Sequence, residues 1–437
     1  MSADSRRGEA PPWRQPGFVP GGSDGLPADF KAALVLQPAR AGLPLLLDLA
    51  ESPLAILRES ALLHNVAAMN DICDSVGFSI APHAKTTMSP ELIDLQTGSG
   101  AWGFAAATSY QVRRLFDFGV TRVICATELV DVPALVDILQ LVAEVPDREF
   151  LLFVDSFDTL RIAEAAAEQA PAGAVLQVLV EVGHLDGRTG IRGVEGAIAL
   201  AEAAAASPSL VLRGIAGYEA TVPGIRTAEG LASVDEFLDQ LALITRHAFR
   251  AGWLSTDPIL TVGGSMYIDR VQSRLAALPG EGIEVVLRSG CYLTHDHGLY
   301  ETASQITPAS QPQLQPEPEP QPRWQAAVEV WARVISRPEP DLAILNAGRR
   351  DLSHDQGLPT PVATYRNAGE VARTDELTAF ALSDQHTFVR LSPGADLRVG
   401  DLVALGISHP CTTFDKWRVL HVVDDDYRSV GVCTTHF

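Results

Sequence analysis

One lysine of the sequence stands in a setting that suits covalent chemistry. The segment Ala81–Thr87 (APHAKTT) closes the short apolar run Ser79–Pro82, which has the length and composition of a buried strand. In parallel β/α folds, a side chain at the C-terminal end of a strand points toward the active site. An amine that burial or neighbouring positive charge keeps unprotonated can form a Schiff base. Lys85 is therefore a candidate catalytic residue, and the competing interpretation is an ordinary surface lysine.

A glycine-rich turn offers an anion site. The segment Thr261–Tyr267 (TVGGSMY) follows another short apolar run, and its glycines let the backbone approach a ligand closely. Successive N–H groups and the hydroxyl of Ser265 could bind a phosphate. The segment lacks the glycine-lysine pattern of a P-loop and the three-glycine pattern of a dinucleotide fold. Its late position instead matches the place where β/α barrels often bind phosphate groups.

A third pattern joins two metal-binding side chains. Ser408–Thr413 has the sequence SHPCTT, which spaces His409 and Cys411 two residues apart. In an extended chain both side chains would lie on the same side, because strand side chains alternate. Imidazole nitrogen and thiolate sulfur together suit zinc. Two ligands are too few for a structural site, so the pair predicts a catalytic ion with open positions, unless the spacing is coincidental.

The elements around these residues follow a β/α rhythm. Short apolar runs alternate with amphipathic, Ala/Leu-rich stretches, which predicts parallel strands joined by right-handed crossovers. Eight such units close a TIM (β/α)8 barrel. Nine strands are predicted, so one of them, most simply the first, should join a neighbouring domain; an open doubly wound sheet is the alternative. The predicted strands are Leu54–Leu57, Ser79–Pro82, Gly103–Ala106, Arg122–Ala126, Phe150–Asp155, Ala174–Glu181, Leu212–Tyr218, Leu260–Gly263 and Glu284–Leu287.

Composition marks the domain boundaries. Residues 1–50 form a polar, proline-rich N-terminal extension that we expect to join the β domain in part, and residues 51–308 form the barrel. Alternating proline makes residues 309–322 a Pro/Gln/Glu-rich linker. Residues 323–437 are predicted to be a mainly β C-terminal domain that carries the metal site. Its predicted strands are Val328–Ser336, Leu342–Asn346, Thr387–Leu391, Leu402–Gly406 and Val419–Val423.

Charge and cysteine content exclude several classes of protein. The chain has 437 residues with 33 Lys+Arg and 54 Asp+Glu, a net charge of −21, which argues against nucleic acid and anionic membranes as partners. We find no apolar run long enough for a transmembrane helix and no apolar core of a signal peptide. Five scattered cysteines without a C-x-x-C pair indicate a reducing, cytoplasmic location.

Five segments, in order, resemble one enzyme family. Pro82–Thr86 matches the family's cofactor-lysine segment P-H-A-K-T-H, from which this chain departs at Thr87. The family's other segments correspond to Arg288–Tyr292 with Asp296, where a serine replaces a proline, and to Asn346–Gly357, Ser383–His386 and His409–Cys411. The chain therefore resembles the fold-type III pyridoxal-phosphate enzymes of the D-serine dehydratase and D-threonine aldolase group, with their alanine-racemase-like barrel.

The resemblance implies roles for individual residues. Lys85 would bind pyridoxal 5'-phosphate covalently and act as general base at the substrate Cα. The phosphate would be bound by Gly263, Gly264 and Ser265, with a further N–H from Met266. The other cofactor-binding residues implied are His83, Arg188, Tyr218 and Tyr292. Zn2+, or another divalent cation such as Mn2+, would be bound by His409 and Cys411.

The implied reaction is the dehydration of D-serine or a related 3-hydroxy-D-amino acid to a 2-oxo acid and ammonia. In the family, H-x-C accompanies dehydratases and H-x-D the aldolase, so Cys411 favours dehydration. The alternative is aldol cleavage to glycine and an aldehyde. A racemase would need a second base and no metal, and a carrier without turnover would bind the cofactor but form no product. The resemblance also implies a homodimer.

Overall fold

The computed structural model describes residues 10–15, 51–304, 324–366 and 373–437. The predicted linker, 309–322, and most of the N-terminal extension lie outside the described residues. The described chain divides into two compact units whose segments alternate along the sequence. The first unit comprises residues 69–85 and 96–290, and the second comprises the other described residues.

Strands and helices alternate through the first two thirds of the chain, as the apolar rhythm predicts, and strands prevail after residue 327. The strands are β1 (Leu54–Arg58), β2 (Ser79–Ile80), β3 (Phe104–Ala106), β4 (Arg122–Cys125), β5 (Glu149–Val154), β6 (Leu176–Gly183), β7 (Ile191–Arg192), β8 (Leu210–Gly217), β9 (Ile259–Val262), β10 (Glu284–Leu287), β11 (Val328–Glu339), β12 (Leu342–Leu345), β13 (Thr360–Tyr365), β14 (Leu377–Leu382), β15 (Thr387–Leu391), β16 (Leu402–Gly406), β17 (Val419–Val423) and β18 (Ser429–Thr434). The helices are α1 (Glu59–Val76), α2 (Pro90–Gly98), α3 (Ser109–Asp117), α4 (Val132–Glu144), α5 (Phe157–Gln169), α6 (Val194–Ala206), α7 (Ala228–Arg250), α8 (Ile268–Leu275), α9 (Leu299–Ser304) and α10 (Cys411–Phe414).

The first unit is a parallel barrel, as predicted. Its nine-stranded sheet has the order β2-β10-β9-β8-β6-β5-β4-β3, with β7 attached to β6 alone. The two ends of this order meet at a parallel bridge between His83 and Ala105. Two hydrogen bonds flank the bridge, from Trp102 N to Ile80 O at 2.8 Å and from Ala105 N to Pro82 O at 2.9 Å. The segment that carries the candidate lysine therefore joins the two ends of the sheet and closes the barrel.

Buried apolar side chains fill the barrel. One core cluster takes a residue from nearly every strand: Ala81, Ile124, Leu151, Phe153, Leu179, Ala216, Ile259 and Val286. Strands covered on both faces read as continuous apolar runs, which is why β5 (EFLLFV) is recognisable from sequence. Because the strands are parallel, the residues that follow their C-terminal ends collect at one rim of the barrel.

The second unit is built on a nine-stranded, mainly antiparallel sheet. Its order is β14-β15-β12-β11-β1-β17-β18, and β16 joins β11 to β13. The first strand of the chain, β1, lies inside this sheet, antiparallel to β11 and parallel to β17. This agrees with the prediction that the first of the nine predicted strands joins the neighbouring domain. Three strands of the unit, β13, β14 and β18, have no counterpart among the predicted strands.

No helix within the described ranges is long and apolar enough to cross a membrane.

Candidate active site

Lys85 lies in a short 3-10 turn, Ala84–Thr86, directly after the bridge that closes the barrel. Its neighbour His83 is partly buried, and among the described residues its buried Nδ1 has no hydrogen-bond partner. Burial, together with the positive charges of Lys85, Arg288 and Arg188, holds the pKa of His83 well below its ordinary value. A neutral imidazole therefore lies among three cations in this unit, and such a concentration of positive charge favours an anionic ligand.

Arg288 is the most deeply placed of these cations. Its guanidinium donates to Thr261 Oγ1 and to Gly217 O, each at 2.7 Å. Burial lowers its pKa to about 10, although the charges of Glu219 and Glu181 act in the opposite direction. The hydrogen bonds tie the ends of β8, β9 and β10 together beneath the rim.

Arg188 and Tyr218, two of the residues predicted to bind the cofactor, lie close to each other. The Arg188 guanidinium carbon lies 5.4 Å from the centre of the Tyr218 ring. A Cβ atom at Gly264 would come within 2.9 Å of that same ring. Glycine at this position therefore allows the turn after β9 to pack against Tyr218.

The N–H groups of the first two glycines in the turn after β9 donate to a carboxylate, whereas the sequence predicts that they bind a phosphate. Gly263 N donates to Glu219 Oε2 at 3.0 Å, and Gly264 N donates to Glu219 Oε1 at 2.8 Å. A fully buried carboxylate needs such donors, and these two amides supply them. In this arrangement Gly263 and Gly264 are not phosphate donors, and the amides of Ser265 and Met266 are the ones left for that role. Glu219 directly follows Tyr218, and nothing in its own sequence context indicates the contact.

Three carboxylates form a cluster that the sequence analysis missed. Ligand oxygens of Glu128, Asp155 and Glu181 all lie within 4.8 Å of one another. Glu128 and Asp155 follow β4 and β5, and Glu181 lies near the end of β6. Acidic residues near the ends of consecutive parallel strands are the signal that could have found them. Burial raises the pKa of Glu128 to about 9, assisted by its hydrogen bond to Glu181 and by the charges of Glu181 and Asp155. The cluster therefore retains a proton at neutral pH.

In the second unit, His409 and Cys411 are neighbours in space as well as in sequence. His409 Nδ1 lies 2.6 Å from Asp355 Oδ2, and Thr412 Oγ1 donates to Asp355 Oδ1 at 2.6 Å. This contact fixes the imidazole and leaves Nε2 for a ligand. Burial opposes protonation of His409, but Cys411 and Asp355 outweigh it and raise its pKa to about 9. Asp355 lies in the Asn346–Gly357 segment, where its spacing could have suggested this role.

The extended conformation predicted for this pair is wrong. Pro410 has helical angles, φ −59° and ψ −48°, and Cys411 begins α10. Proline fixes φ near −65°, which suits the start of a helix as well as an extended chain. The side chains are therefore brought together by a tight turn and not by strand alternation.

A second thiol accompanies the pair. Cys291 begins the 3-10 turn Cys291–Leu293, and its Sγ lies 3.7 Å from the Sγ of Cys411. The hydroxyl of Thr86, the residue after Lys85 in the chain, lies 3.4 Å from the Cys411 sulfur. Tyr292, which the sequence analysis assigns to the cofactor, also belongs to this unit, where its ring meets the Trp324 ring edge-on.

The chemistry of both sites fits the groups that the sequence implies. The buried Ser289 hydroxyl and His83 Nδ1 lack hydrogen-bond partners among the described residues. The same unit holds three cations and the glycine turn after β9, and these groups together suit a phosphate-bearing cofactor. In the second unit, an oriented imidazole beside a thiol suits a divalent cation such as zinc.

Comparisons with known proteins agree with both units. Residues 57–257 match the family model for the alanine racemase N-terminal domain, and residues 327–423 match that for a putative serine dehydratase domain. A D-threonine aldolase from Arthrobacter is 28% identical over 392 residues, 89% of this chain and 92% of the relative. A 3-hydroxy-D-aspartate aldolase from Paracoccus denitrificans is 26% identical over 382 residues, 84% of this chain and 88% of the relative.

A solved structure extends the likeness to the fold of both units. The D-threo-3-hydroxyaspartate dehydratase from Delftia has a TM-score of 0.68 and 21% sequence identity, covering 88% of this chain and 97% of that one. The two family models match in the order that the five sequence segments imply. The chain is therefore similar, over most of its length, to pyridoxal-phosphate-dependent lyases, and its two matched parts correspond to an alanine-racemase-type barrel and a serine-dehydratase-type domain.

Proposed function

We propose that the protein is a dehydratase that uses pyridoxal phosphate and a divalent cation to convert D-serine or a related 3-hydroxy-D-amino acid to a 2-oxo acid and ammonia. The observation that carries this proposal is the His409–Cys411 pair, with its imidazole held by Asp355. In the family a cysteine at this position accompanies dehydration. Substrates of this class are also those named for the similar aldolases and dehydratase.

Lys85 has the central role at Cα. Bound pyridoxal phosphate supplies the electron sink that makes the Cα proton of an amino acid acidic. The Lys85 amine removes that proton as general base, and Arg188 and Arg288 balance the negative charge of the cofactor and the substrate carboxylate. The amides of Ser265 and Met266 would hold the phosphate and so fix the position of the cofactor in the barrel.

His409 and Cys411 are proposed to serve the leaving group. Hydroxide is a poor leaving group at Cβ, and a bound divalent cation supplies a Lewis acid for its departure. Asp355 keeps the His409 ring oriented for that cation. Loss of hydroxide from Cβ follows loss of the proton from Cα, and hydrolysis of the product then releases ammonia.

Aldol cleavage is the second candidate, because the relatives that span most of this chain are aldolases. The same residues serve both outcomes. If the β-hydroxyl loses its proton instead of leaving, the Cα–Cβ bond breaks and the products are glycine and an aldehyde.

A substrate panel separates the two reactions. D- and L-serine, D- and L-threonine and the 3-hydroxyaspartates are incubated with the purified holoenzyme, and 2-oxo acid, ammonia and aldehyde are measured separately. We expect equimolar 2-oxo acid and ammonia from the D isomers only. Glycine and aldehyde as the sole products would overturn dehydration in favour of the aldolase.

Two controls connect the activity to the proposed sites. Lys85→Ala should lose the visible absorbance of lysine-bound pyridoxal phosphate together with turnover, whereas Lys416→Ala, which removes an exposed ion pair with Asp415, should lose neither. Chelation with EDTA should abolish product formation, and added zinc should restore it. Full activity after removal of the metal would contradict the assignment of His409 and Cys411.

A further inference from the structure

We infer that Cys291 is a third protein ligand of the divalent cation, together with His409 and Cys411. This inference deepens the proposed function and rests on it, since it concerns the same cation. It changes the ligand set from one imidazole and one thiolate to one imidazole and two thiolates.

The distance between the two sulfurs is the first support. Zinc–sulfur bonds are about 2.3 Å long, so two thiolates on one tetrahedral zinc lie about 3.8 Å apart. The Sγ atoms of Cys291 and Cys411 are 3.7 Å apart. A cation could therefore bridge them without moving either sulfur appreciably.

The surroundings of Cys291 are the second support. The residue is 6% exposed, yet its sulfur meets polar atoms: besides Cys411, the Thr86 hydroxyl lies 3.9 Å away. The same hydroxyl is 3.4 Å from the Cys411 sulfur, so Thr86 contacts both thiols. A neighbouring thiol and a neighbouring hydroxyl are expected around a metal ligand, whereas a cysteine that only packs the core is expected to have apolar neighbours.

Cys411 is the central member of the three. It contacts the Cys291 sulfur, and it lies two residues from His409 in the chain. Within the described ranges, the only ligand atoms that meet as a set of three within 4.8 Å are those of the acidic cluster, Glu128, Asp155 and Glu181. Binding at the three-ligand site must therefore bring the His409 ring closer to the two sulfurs.

Two thiolates have a consequence for the choice of metal. Magnesium and manganese prefer oxygen ligands, whereas thiolate and imidazole ligands favour zinc. Three protein ligands also leave the fourth tetrahedral position open, as in catalytic zinc sites. The inference therefore predicts a zinc enzyme that manganese or magnesium replaces poorly.

X-ray absorption at the zinc edge tests the ligand set without relying on activity. The holoenzyme is stripped with a chelator, loaded with one equivalent of zinc, and its zinc–sulfur and zinc–nitrogen/oxygen shells are counted. We expect two sulfurs in the wild type and one in Cys291→Ser, with zinc binding weakened at least about tenfold, the scale on which even outer-shell changes act. Cys433→Ser, a buried cysteine elsewhere in the same unit, is the matched control and should keep two sulfurs.

The outcomes are distinct. One sulfur in the wild-type spectrum overturns the inference and leaves the proposed function standing, even if Cys291→Ser fails to fold. A zinc shell without sulfur, or no stoichiometric binding, overturns the inference and the proposed metal site together. Two sulfurs in the wild type that persist in Cys291→Ser would likewise rule out Cys291 as the second thiolate.

Discussion

At the scale of single residues, Asp355 shows how one carboxylate orients a metal ligand, the imidazole of His409. It accepts from Thr412 and contacts His409 Nδ1, so the imidazole is held at that nitrogen. Asp355→Ala should therefore weaken zinc binding by about 10–100-fold, measured by competition with a chromophoric chelator. Asp415→Ala, which removes a half-exposed carboxylate of the same unit, is the control. Equal zinc affinity in both variants would show that Asp355 does not orient His409.

Glu128 gives a prediction for the pH dependence of stability. Its pKa is about 9 in the folded chain, against an ordinary value of 4.5 that applies when unfolded. Between these values the folded state holds a proton that the unfolded state has lost, so this residue makes stability fall as pH rises. Glu128→Gln does not titrate, and its melting temperature should exceed that of the wild type by a margin that is small at pH 5 and grows toward pH 9. A constant margin across this range would contradict a proton shared within the acidic cluster.

Candidate residues could be found from sequence where the pattern is local. Lys85 and the His409–Cys411 pair stand in short segments whose residue types suggest a chemistry, and the family resemblance selects that chemistry over the ordinary alternatives. Cys291 contacts Cys411 across 120 positions, and Glu219 contacts Gly264 across 45. No local pattern reports such contacts, because they depend on which strand ends and turns the fold brings together.

At the scale of elements, Glu219 links the end of β8 to the turn after β9. Glu219→Ala would leave two buried N–H groups without their acceptor, a loss of about 1–3 kcal/mol for each group. We expect this variant to melt at a lower temperature and to bind pyridoxal phosphate more weakly, whereas Glu219→Gln keeps a carbonyl acceptor and should stay closer to the wild type. Cofactor affinity is measured by titrating the stripped enzyme and following its visible absorbance.

An effect of the Glu219 charge on the phosphate would change cofactor affinity in the opposite direction. If the carboxylate mainly repels the phosphate, Glu219→Gln should bind the cofactor more tightly than the wild type, and the interpretation of Glu219 as a support for the turn would then be wrong.

Most of the strands that sequence patterns predicted are largely buried, and β15, which includes the exposed Arg390, is an exception. Buried barrel strands are continuous apolar runs, and β1 was placed outside the barrel simply because nine strands exceed eight. The strands missed in the second unit are partly exposed: β14 alternates buried and exposed residues, and β13 includes Pro361. Proline is tolerated there because, among the described strands, β13 pairs with β16 alone. The short helix α10 was missed because the H-P-C sequence is equally compatible with an extended chain.

At the scale of the whole molecule, the dominant property is a net charge of −21. The barrel unit nevertheless surrounds His83 with the positive charges of Lys85, Arg288 and Arg188. An anionic substrate therefore approaches through a repulsive long-range field and then meets a locally positive site. The first effect acts across the solvent and is screened by salt, whereas the second acts at short range in buried surroundings and is screened much less.

This difference predicts how rates depend on ionic strength. D-serine is neutral overall at pH 7, while 3-hydroxyaspartate carries one further negative charge. Raising the ionic strength from about 0.01 M to 0.15 M shortens the Debye length from about 30 Å to about 8 Å and removes most of the long-range repulsion. We expect kcat/KM for 3-hydroxyaspartate to rise several-fold over this range and that for D-serine to change little, measured with sodium chloride at fixed pH and saturating cofactor. A fall in kcat/KM for 3-hydroxyaspartate would mean that the local cations, and not the net charge, govern the approach of substrate.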